Sequence, residues 1–528
     1  MPPNRLLPLL ALALPAVLTA QKNIDRDLSE IGVPRLEMLY AQHRYTVTQV
    51  VRWYLARISK YDSIYGAVCA VDTTGALATA AREDAEAALG GRSFQRGPMW
   101  GAPIVIKANT SIQGLVTSDG WKGFVIPGFQ LIAPADATIV VKLRAAGAVI
   151  LGQTNMPDFA ASDTTRSSAF GRTGNAYDVR FSPGGSSGGT VTAVSADFAL
   201  LGTGTDTSNS IRMPASTSAV VGVLPTRGLV SIAGIAPLDW LRDDTGPIAR
   251  DVTDAAIALG AMAGEDPLDF RTKGSAAKAQ AAPYTQYLKA EALQGKRLGV
   301  PAFILANGSL RPETRELFMR ALDELRSADA TVAIDDSILP DSFVQAVRKI
   351  KTSMYRFEGF ETFLKEFGPA QYKSAEEYAK TAGSPLPATI GPPAAKGAPI
   401  ADDPAADTNF FGPQREALAI YNDTLDRLHL DGFVYPAAQM PPPDETMPQD
   451  GRLSSGPHSD TGWVNPIGVP AVVVPGGFYT SGLPFGLEIS ARQWKDGDLL
   501  GWAYAYEQAT HHRHPPVLVE QGLLPKAR

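Results

Sequence analysis

Residues 183–214 read PGGSSGGTVTAVSADFALLGTGTDTSNSIRMP, and this stretch is the strongest indication of the fold. Two loops rich in glycine and serine, 183–189 and 204–214, flank an apolar segment that predicts a helix over 189–196 and a strand at Phe198–Leu201. Alternation of loop, helix and strand is typical of α/β folds, in which reactive groups lie where strands end. The two loops are therefore the first candidates for a functional site.

The same alternation continues on both sides of this stretch. Short apolar runs predict strands at Ile104–Ile106, Ala148–Leu151 and Val472–Val474. Capping residues and apolar periodicity predict helices: one begun by Thr46 with Gln49 at capping-box spacing, Ala76–Leu89 closed by Gly90 and Gly91, one capped by Asp136 and ending near Gly147, Glu313–Arg326, and Leu499–Thr510. These elements predict an α/β fold: a single large domain with a central mixed β-sheet flanked by helices.

Residues from about 275 to 455 have a different texture. Ser384–Asp407 is rich in Pro and Ala, which is typical of an irregular surface segment. We expect 275–455 to be a variable, cap-like insert, with the core resuming at the run NPIGVPAVVVPGG.

The charge balance excludes some classes of partner. The 528 residues carry 48 Lys plus Arg against 54 Asp plus Glu, a net charge of −6 that offers no footprint for nucleic acid or an anionic membrane. Cys69 is the only cysteine, so no intrachain disulfide can form. We expect a small-molecule substrate and neither a metal nor a cofactor.

The first 20 residues have the pattern of an export signal. Arg5 provides a positive start, Leu6–Leu18 is a short apolar run, and Leu-Thr-Ala before Gln21 suits cleavage. The run is shorter than the roughly 20 residues that span a bilayer. We expect residues 1–20 to be removed, residues 21–528 to form the domain, no stable membrane insertion, and a secreted or periplasmic protein; a buried N-terminal helix is the alternative.

The sequence GGSSG formally matches the G-x-S-x-G nucleophile elbow, centred on Ser186 or Ser187. An elbow serine requires a histidine base, and of the six histidines only His458 has a suitable loop context. In an elbow a strand directly precedes the serine, whereas the residues before this motif predict a loop. An α/β-hydrolase-type esterase using Ser186 and His458 therefore remains an alternative.

Ordered motifs give a more specific interpretation. GAPIVIK, GQTNMPDF, SSAFGRTGN, PGGSSGGT, GTDTSNSIRMPA, GVLPTRGLVS and GPIARDVTDAA follow one another along the chain, and NPIGVPAVVVPGGF, GLPFGLEI and AYEQAT follow near its end. In order and spacing they resemble the amidase signature family over most of the chain outside 275–455.

The resemblance implies a Ser-Ser-Lys triad on the amidase signature fold. Ser210 would be the nucleophile, Ser186 the bridging serine after a cis peptide bond from Gly185, and Lys107 the base. An amine with an ordinary pKa near 10.4 is protonated at neutral pH, so Lys107 must be buried to act as a base. The reaction would pass through an acyl-enzyme on Ser210.

The resemblance also implies the surroundings of the nucleophile. The backbone amides of Thr207, Ser208, Asn209 and Ser210 would form the oxyanion hole. Asp206 and Arg212 would brace the loop as a charge pair. This chain departs from the common family pattern in two places: Ser208 and Asn209 stand where glycines are usual, and Ala108 stands where many members have an acid.

These observations together predict an exported amidase, a hydrolase acting on carbon–nitrogen bonds other than peptide bonds. Its substrate would be a small amide, with esters or carbamates also accessible to the same chemistry. Substrate identity is not encoded in any motif, and a homodimer is compatible with the sequence. A catalytically silent binding member of the family is the non-enzymatic alternative.

Overall fold

A computed structural model describes residues 23–91, 94–306, 308–383, 385–391, 398–447 and 456–516. The export signal predicted for residues 1–20 lies outside the described residues. Within these ranges no helix combines the length and the apolar character needed to cross a bilayer.

The described strands are β1 (Val68–Val71), β2 (Ala102–Lys107), β3 (Ala148–Thr154), β4 (Arg166–Ser167), β5 (Gly171–Arg172), β6 (Leu201–Asp206), β7 (Val221–Leu224), β8 (Asp244–Ala249), β9 (Arg297–Val300), β10 (Thr331–Ile334), β11 (Gly432–Pro436), β12 (Ala471–Phe478) and β13 (Pro484–Ala491). The α-helices that follow residues 23–28, which are also helical, are α1 (Val33–Ala41), α2 (Val47–Tyr65), α3 (Thr73–Gly90), α4 (Thr138–Ala145), α5 (Gly188–Ser195), α6 (Arg212–Ser216), α7 (Val252–Met262), α8 (Ala302–Ala306), α9 (Pro312–Ser327), α10 (Asp341–Lys349), α11 (Arg356–Phe367), α12 (Ala375–Ala382), α13 (Gly412–Arg427), α14 (Val464–Ile467) and α15 (Asp496–Thr510).

One mixed sheet of eleven strands organises the molecule, in the order β1-β3-β2-β6-β8-β7-β12-β13-β11-β9-β10. Every residue of β2, β3 and β6 is buried, as expected for strands with helices on both faces. The predicted α/β domain with a central mixed sheet is therefore confirmed.

The register of β2 and β6 places the candidate site. The two strands are parallel, with Ile104 opposite Leu201 and Val105 opposite Gly202. Their carboxyl ends, Lys107 and Asp206, therefore reach the same edge of the sheet. Helix α5 begins at Gly188 beside this edge. A Cβ on Gly189 would come within 2.2 Å of the Asn155 carbonyl oxygen, so only glycine allows the helix to pack this closely against the backbone after β3.

Most local predictions agree with the structure. The capping box of α2 is present: the Gln49 amide donates to Thr46 Oγ1 at 3.2 Å and the Thr46 amide donates to Gln49 Oε1 at 2.9 Å. Helix α3 begins earlier than predicted because Asp72 caps it by accepting from the Gly75 amide.

Two local predictions are wrong. Asp136 does not cap α4, because the N-cap of that helix is Ala137. The Asp136 carboxylate instead accepts from the Gln113 amide and pairs with Arg144. The strand predicted at Phe198–Leu201 begins only at Leu201, because the residues before it form the turn that follows α5.

The segment 275–455 is less of a cap than the sequence suggests. Strands β9, β10 and β11 fall within it and extend the central sheet at one side. Their short apolar runs are hidden in the sequence among charged helices such as α9. Helices α11 and α12 do lie apart from the sheet, and they pack against the loop that contains Phe124.

Candidate active site

Lys107 lies at the end of β2 with no exposed surface. Its Nζ is 2.7 Å from Ser186 Oγ, 2.8 Å from Thr205 Oγ1, 3.1 Å from Ser187 Oγ and 3.5 Å from the Thr205 carbonyl oxygen. These neighbours come from the two serine-rich loops and from β6. The structure therefore brings the predicted lysine and the first predicted serine into direct contact.

Ser186 and Ser187 lie between β5 and α5 and are fully buried. The peptide bond from Gly185 to Ser186 is cis, as the family resemblance implies. The Oγ of an elbow nucleophile is exposed at the top of the sheet, whereas Ser186 Oγ is buried against Lys107 Nζ, which argues against Ser186 as an elbow nucleophile.

Ser210 has 7% of its surface exposed and is the most accessible of the three predicted residues. Its carbonyl oxygen accepts from the Ser187 amide at 3.2 Å, which fixes the two loops against each other. Within the described ranges no hydrogen bond joins the hydroxyls of Ser186 and Ser210. The structure therefore joins the two loops through their backbones and leaves the Ser210 hydroxyl available.

The charge state of Lys107 follows from its surroundings. Burial lowers the pKa of Lys107 to about 7, against the opposing effects of the Asp119, Asp206 and Asp243 carboxyl groups. A substantial fraction of Lys107 is therefore a neutral amine near neutral pH.

The nucleophile loop presents unused donors. Across the described part of the chain, the amides of Thr207, Ser208, Asn209 and Ser210 donate no hydrogen bond. Asn209 does not have a positive φ, so the loop does not require a glycine conformation there. The replacement of glycine at this position is compatible with the backbone.

The predicted pair of Asp206 and Arg212 is present and extends to a third residue. Arg212 Nε lies 3.2 Å from Asp206 Oδ2 and Nη1 lies 2.6 Å from Glu488 Oε1, all three side chains being fully buried. Nη2 also donates to the Ser208 carbonyl oxygen. Although burial alone lowers it, the pKa of Arg212 is raised overall by the two carboxylates, and the cation braces the nucleophile loop.

Sequence reasoning missed several residues around this core. Glu488 is the only charged residue of β13, and a lone acid in a buried strand was the available signal. Asn109 is buried, and its Nδ2 donates to Thr205 Oγ1 at 3.1 Å, so it belongs to the hydrogen-bond network around Lys107. Asp119 and Asp243 had no local signal, because each lies in a polar stretch of sequence with no recognisable motif.

His458 does not take the place of the lysine beside Ser186. Its side chain is exposed, whereas Ser186 Oγ is buried against Lys107 Nζ. Asn155 holds a neighbouring loop in place, since its Nδ2 donates to the Gly171 carbonyl oxygen and to Thr173 Oγ1. Among the described residues, no group of His, Cys, Asp and Glu is arranged to hold a metal ion.

A cavity of about 970 Å³ adjoins the nucleophile loop. The aromatic rings of Phe303, Phe343 and Trp463 line it, together with Asp460 and Gly462. Gly462 also faces the loop, because a Cβ there would come within 2.8 Å of Ser208 Oγ. The cavity and the loop therefore share one wall.

Comparisons with known proteins find relatives that cover most of this chain. The family model described as Amidase matches residues 49–500. A glutamyl-tRNA(Gln) amidotransferase subunit of Symbiobacterium thermophilum is 31% identical over 509 residues, covering 93% of this chain and 99% of that protein. The structure of native peptide amidase from Stenotrophomonas maltophilia has 31% identity and a TM-score of 0.75, covering 92% of this chain and 98% of that one. An amidase family protein from Bacillus anthracis has 25% identity and a TM-score of 0.75, with 94% of each chain covered.

Proposed function

This chain belongs to the amidase signature family, and we propose that it is a serine amidohydrolase which cleaves the C–N bond of small amides with Lys107, Ser186 and Ser210. The observation that carries the proposal is the 2.7 Å contact between Lys107 Nζ and Ser186 Oγ, both groups being shielded from solvent. A lysine buried against a serine hydroxyl is the arrangement that a lysine base requires.

The neighbours of Nζ suit a neutral amine. Such an amine has two N–H donors and one lone pair, and Thr205 Oγ1 and Ser187 Oγ offer two acceptors. The lone pair is then left for the proton of Ser186. Ser186 in turn takes the proton of Ser210 as Ser210 Oγ bonds to the substrate carbonyl carbon.

The second half of the reaction reverses these transfers. Ser186 gives a proton to the departing nitrogen as the C–N bond breaks, leaving an acyl group on Ser210. Water then attacks the acyl carbon and loses a proton along the same route. The bond from the acyl carbon to Ser210 Oγ breaks, Ser210 regains its proton through Ser186, and the acid is released. The four free amides of residues 207–210 would hold the carbonyl oxygen while it is negatively charged, a role in which one donor is typically worth about 2.7–4 kcal/mol. Catalytic hydrogen bonds often shorten only when substrate binds, which accommodates the missing bond between Ser186 and Ser210.

The relatives support amide chemistry, but their names describe two different reactions. The peptide amidase is named for amide hydrolysis, whereas the amidotransferase protein is named for a tRNA-dependent reaction. We favour a secreted or periplasmic hydrolase, because Arg5 and the apolar run Leu6–Leu18 form an export pattern. The cavity bounded by Gly462 is lined by Asp336, Asp341 and Arg348 as well as by aromatic rings, so it supports a substrate with both polar and apolar groups, in an amide, ester or carbamate.

Covalent labelling tests the proposal. A fluorophosphonate probe should modify the protein at Ser210, and peptide mapping should find no label on the buried Ser186. A panel of aryl, fatty and peptide amides, carbamates and esters would then identify the acyl group that is transferred. Absence of any label would indicate the silent binding member, and a label on Ser186 would favour the elbow mechanism.

The location and the alternative amidotransferase role need a separate measurement. The N-terminal residue of the mature protein from cell fractions should lie near Gln21 if export occurs. An intact N-terminus in the cytosol, together with hydrolysis of glutamine alone among the amides, would favour the amidotransferase role.

We expect the activity to depend on one ionisation on the acid side. Since the pKa of Lys107 is about 7 and only the neutral amine accepts a proton, kcat/KM should rise with pH through about 7 and fall about tenfold per unit well below it. The measurement is kcat/KM for an uncharged amide between pH 5 and 9. A profile that stays flat down to pH 5 would contradict a lysine base.

A further inference from the structure

Asn109 is a buried amide side chain near the active site that the proposed reaction does not use. Only 2% of its surface is exposed, and its Nδ2 donates to Thr205 Oγ1 at 3.1 Å. Thr205 Oγ1 lies in turn 2.8 Å from Lys107 Nζ. A single hydroxyl group therefore joins the amide to the base of the proposed triad.

The backbone holds Asn109 where its side chain can reach this hydroxyl. Strand β2 ends at Lys107 in a turn, in which the Thr110 amide donates to the Lys107 carbonyl oxygen at 3.0 Å. The Asn109 carbonyl oxygen accepts from the Ala236 amide at 2.7 Å. Both bonds use main-chain atoms, so they remain available when the Asn109 side chain is replaced.

The neighbours of Nζ match what a protonated lysine needs. Once Lys107 has taken the proton of Ser186, its ammonium group has three N–H donors. Three hydroxyl oxygens lie within 3.1 Å of Nζ, and they belong to Ser186, Ser187 and Thr205. If one of these hydroxyls turned away, a buried N–H group would lose its closest acceptor, which is unfavourable.

The hydroxyls of Ser187 and Thr205 are held in different ways. Ser187 Oγ donates to the Thr205 carbonyl oxygen and accepts from the Thr205 amide, both at 3.3 Å, so the backbone of β6 fixes its orientation. In the described ranges, Asn109 Nδ2 is the one hydrogen-bond partner of Thr205 Oγ1 apart from Nζ. Rotation of a threonine about its Cα–Cβ bond exchanges the hydroxyl for the methyl group. The contact with Asn109 favours the rotamer in which the hydroxyl faces the lysine.

We propose that Asn109 is a positioning residue for the lysine base: by holding the Thr205 hydroxyl toward Nζ, it supplies the third acceptor for the ammonium group. This inference rests on the proposed function. The proton moves from Ser186 Oγ to Nζ, while Asn109 and Thr205 keep their own protons throughout. Because an acceptor stabilises the ammonium form more than the neutral amine, its loss makes the lysine a weaker base.

The variants Asn109→Ala and Thr205→Val test this role. The measured quantity is the rate constant for fluorophosphonate labelling of Ser210 between pH 5 and 9, which requires no knowledge of the substrate. Thr205→Val removes the acceptor and should lower the plateau of this rate about ten- to a hundredfold, whereas Asn109→Ala loosens the acceptor and should lower it about three- to tenfold. Both variants should move the acid limb to lower pH, since the ammonium form has lost an acceptor.

The double variant separates an action through Thr205 from an independent one. If Asn109 acts through the hydroxyl, Asn109→Ala should change the labelling rate by less than about twofold when Thr205→Val is already present. An equal loss in both backgrounds would overturn the proposal. An unchanged plateau or an unshifted limb in Asn109→Ala alone would also overturn it.

Asn155→Ala is the matched control. Asn155 is also fully buried, and it also donates to a threonine hydroxyl, that of Thr173 at 3.0 Å, but none of its described hydrogen bonds involves Lys107 or Thr205. This variant should lower the melting temperature and leave the limb in place. A limb shift equal to that of Asn109→Ala would indicate a general loosening of the site and contradict the proposal.

Two further measurements keep the outcome unambiguous. Circular dichroism verifies folding, and if Asn109→Ala does not fold, Asn109→Ser replaces it in the same double-variant comparison. Failure of the wild type to label at Ser210 would overturn the triad and this inference with it. A wild type that labels at Ser210, combined with equal losses in both backgrounds, would overturn the role of Asn109 alone.

Discussion

Ser210→Ala is expected to lower kcat by about 10⁴-fold or more, because the acyl-enzyme can no longer form. The side chain is small and only slightly exposed, and it makes no hydrogen bond within the described ranges, so the fold should be unaffected. The measurement is single-turnover and steady-state hydrolysis of a 4-nitroanilide, with circular dichroism to verify folding. The acyl-enzyme trapped by rapid acid quench in the wild type should be absent from the variant.

His458→Ala is the matched control for this experiment. Its side chain is exposed and lies away from the buried contact of Lys107 with Ser186, so the rate should stay within about threefold of the wild type. The opposite pattern, in which Ser210→Ala remains active and His458→Ala is inactive, would replace the proposed triad with the elbow mechanism.

Arg212→Met is expected to have the largest effect on stability. Its guanidinium is the shared partner of Asp206 and Glu488 and also donates to the Ser208 carbonyl oxygen, and all three charged side chains are fully buried. Removing the cation leaves two buried carboxylates without compensation, and breaking a buried pair in this way typically costs about 3–5 kcal/mol in the free energy of unfolding. Urea unfolding followed by circular dichroism should show a correspondingly lower midpoint.

A surface pair provides the comparison. Arg144→Met removes a partly exposed pair with Asp136 and should cost less than about 1 kcal/mol. Adding Glu488→Gln to Arg212→Met should recover part of the loss, because one of the two stranded carboxylates is then neutral. Equal unfolding midpoints for Arg212→Met and Arg144→Met would show that the buried network does not stabilise the loop.

Much of the fold could be predicted from local sequence. Thr46 with Gln49 fixed the start of α2, and fully apolar runs such as Ile104–Ile106 identified strands buried on both faces. Prediction failed where a local pattern competes with a tertiary contact. Asp136 has the chemistry of a helix cap, yet Arg144 and the Gln113 amide occupy its carboxylate. Strands β9 to β11 were missed because each has only four or five residues, too few to show a clear periodicity.

The sequence by itself determined which residues are candidates for the site. The ordered motifs selected Lys107, Ser186 and Ser210, and the stretch that holds all three contains no histidine. Only the tertiary structure decided which of those residues touch, how deeply each is buried and how its pKa is changed. The parallel register of β2 and β6 brings Lys107 to Ser186, and burial there moves the lysine pKa to about 7. Burial and through-space charge depend on groups distant in the chain, such as Asp119 and Glu488, which is why no local pattern could reveal them.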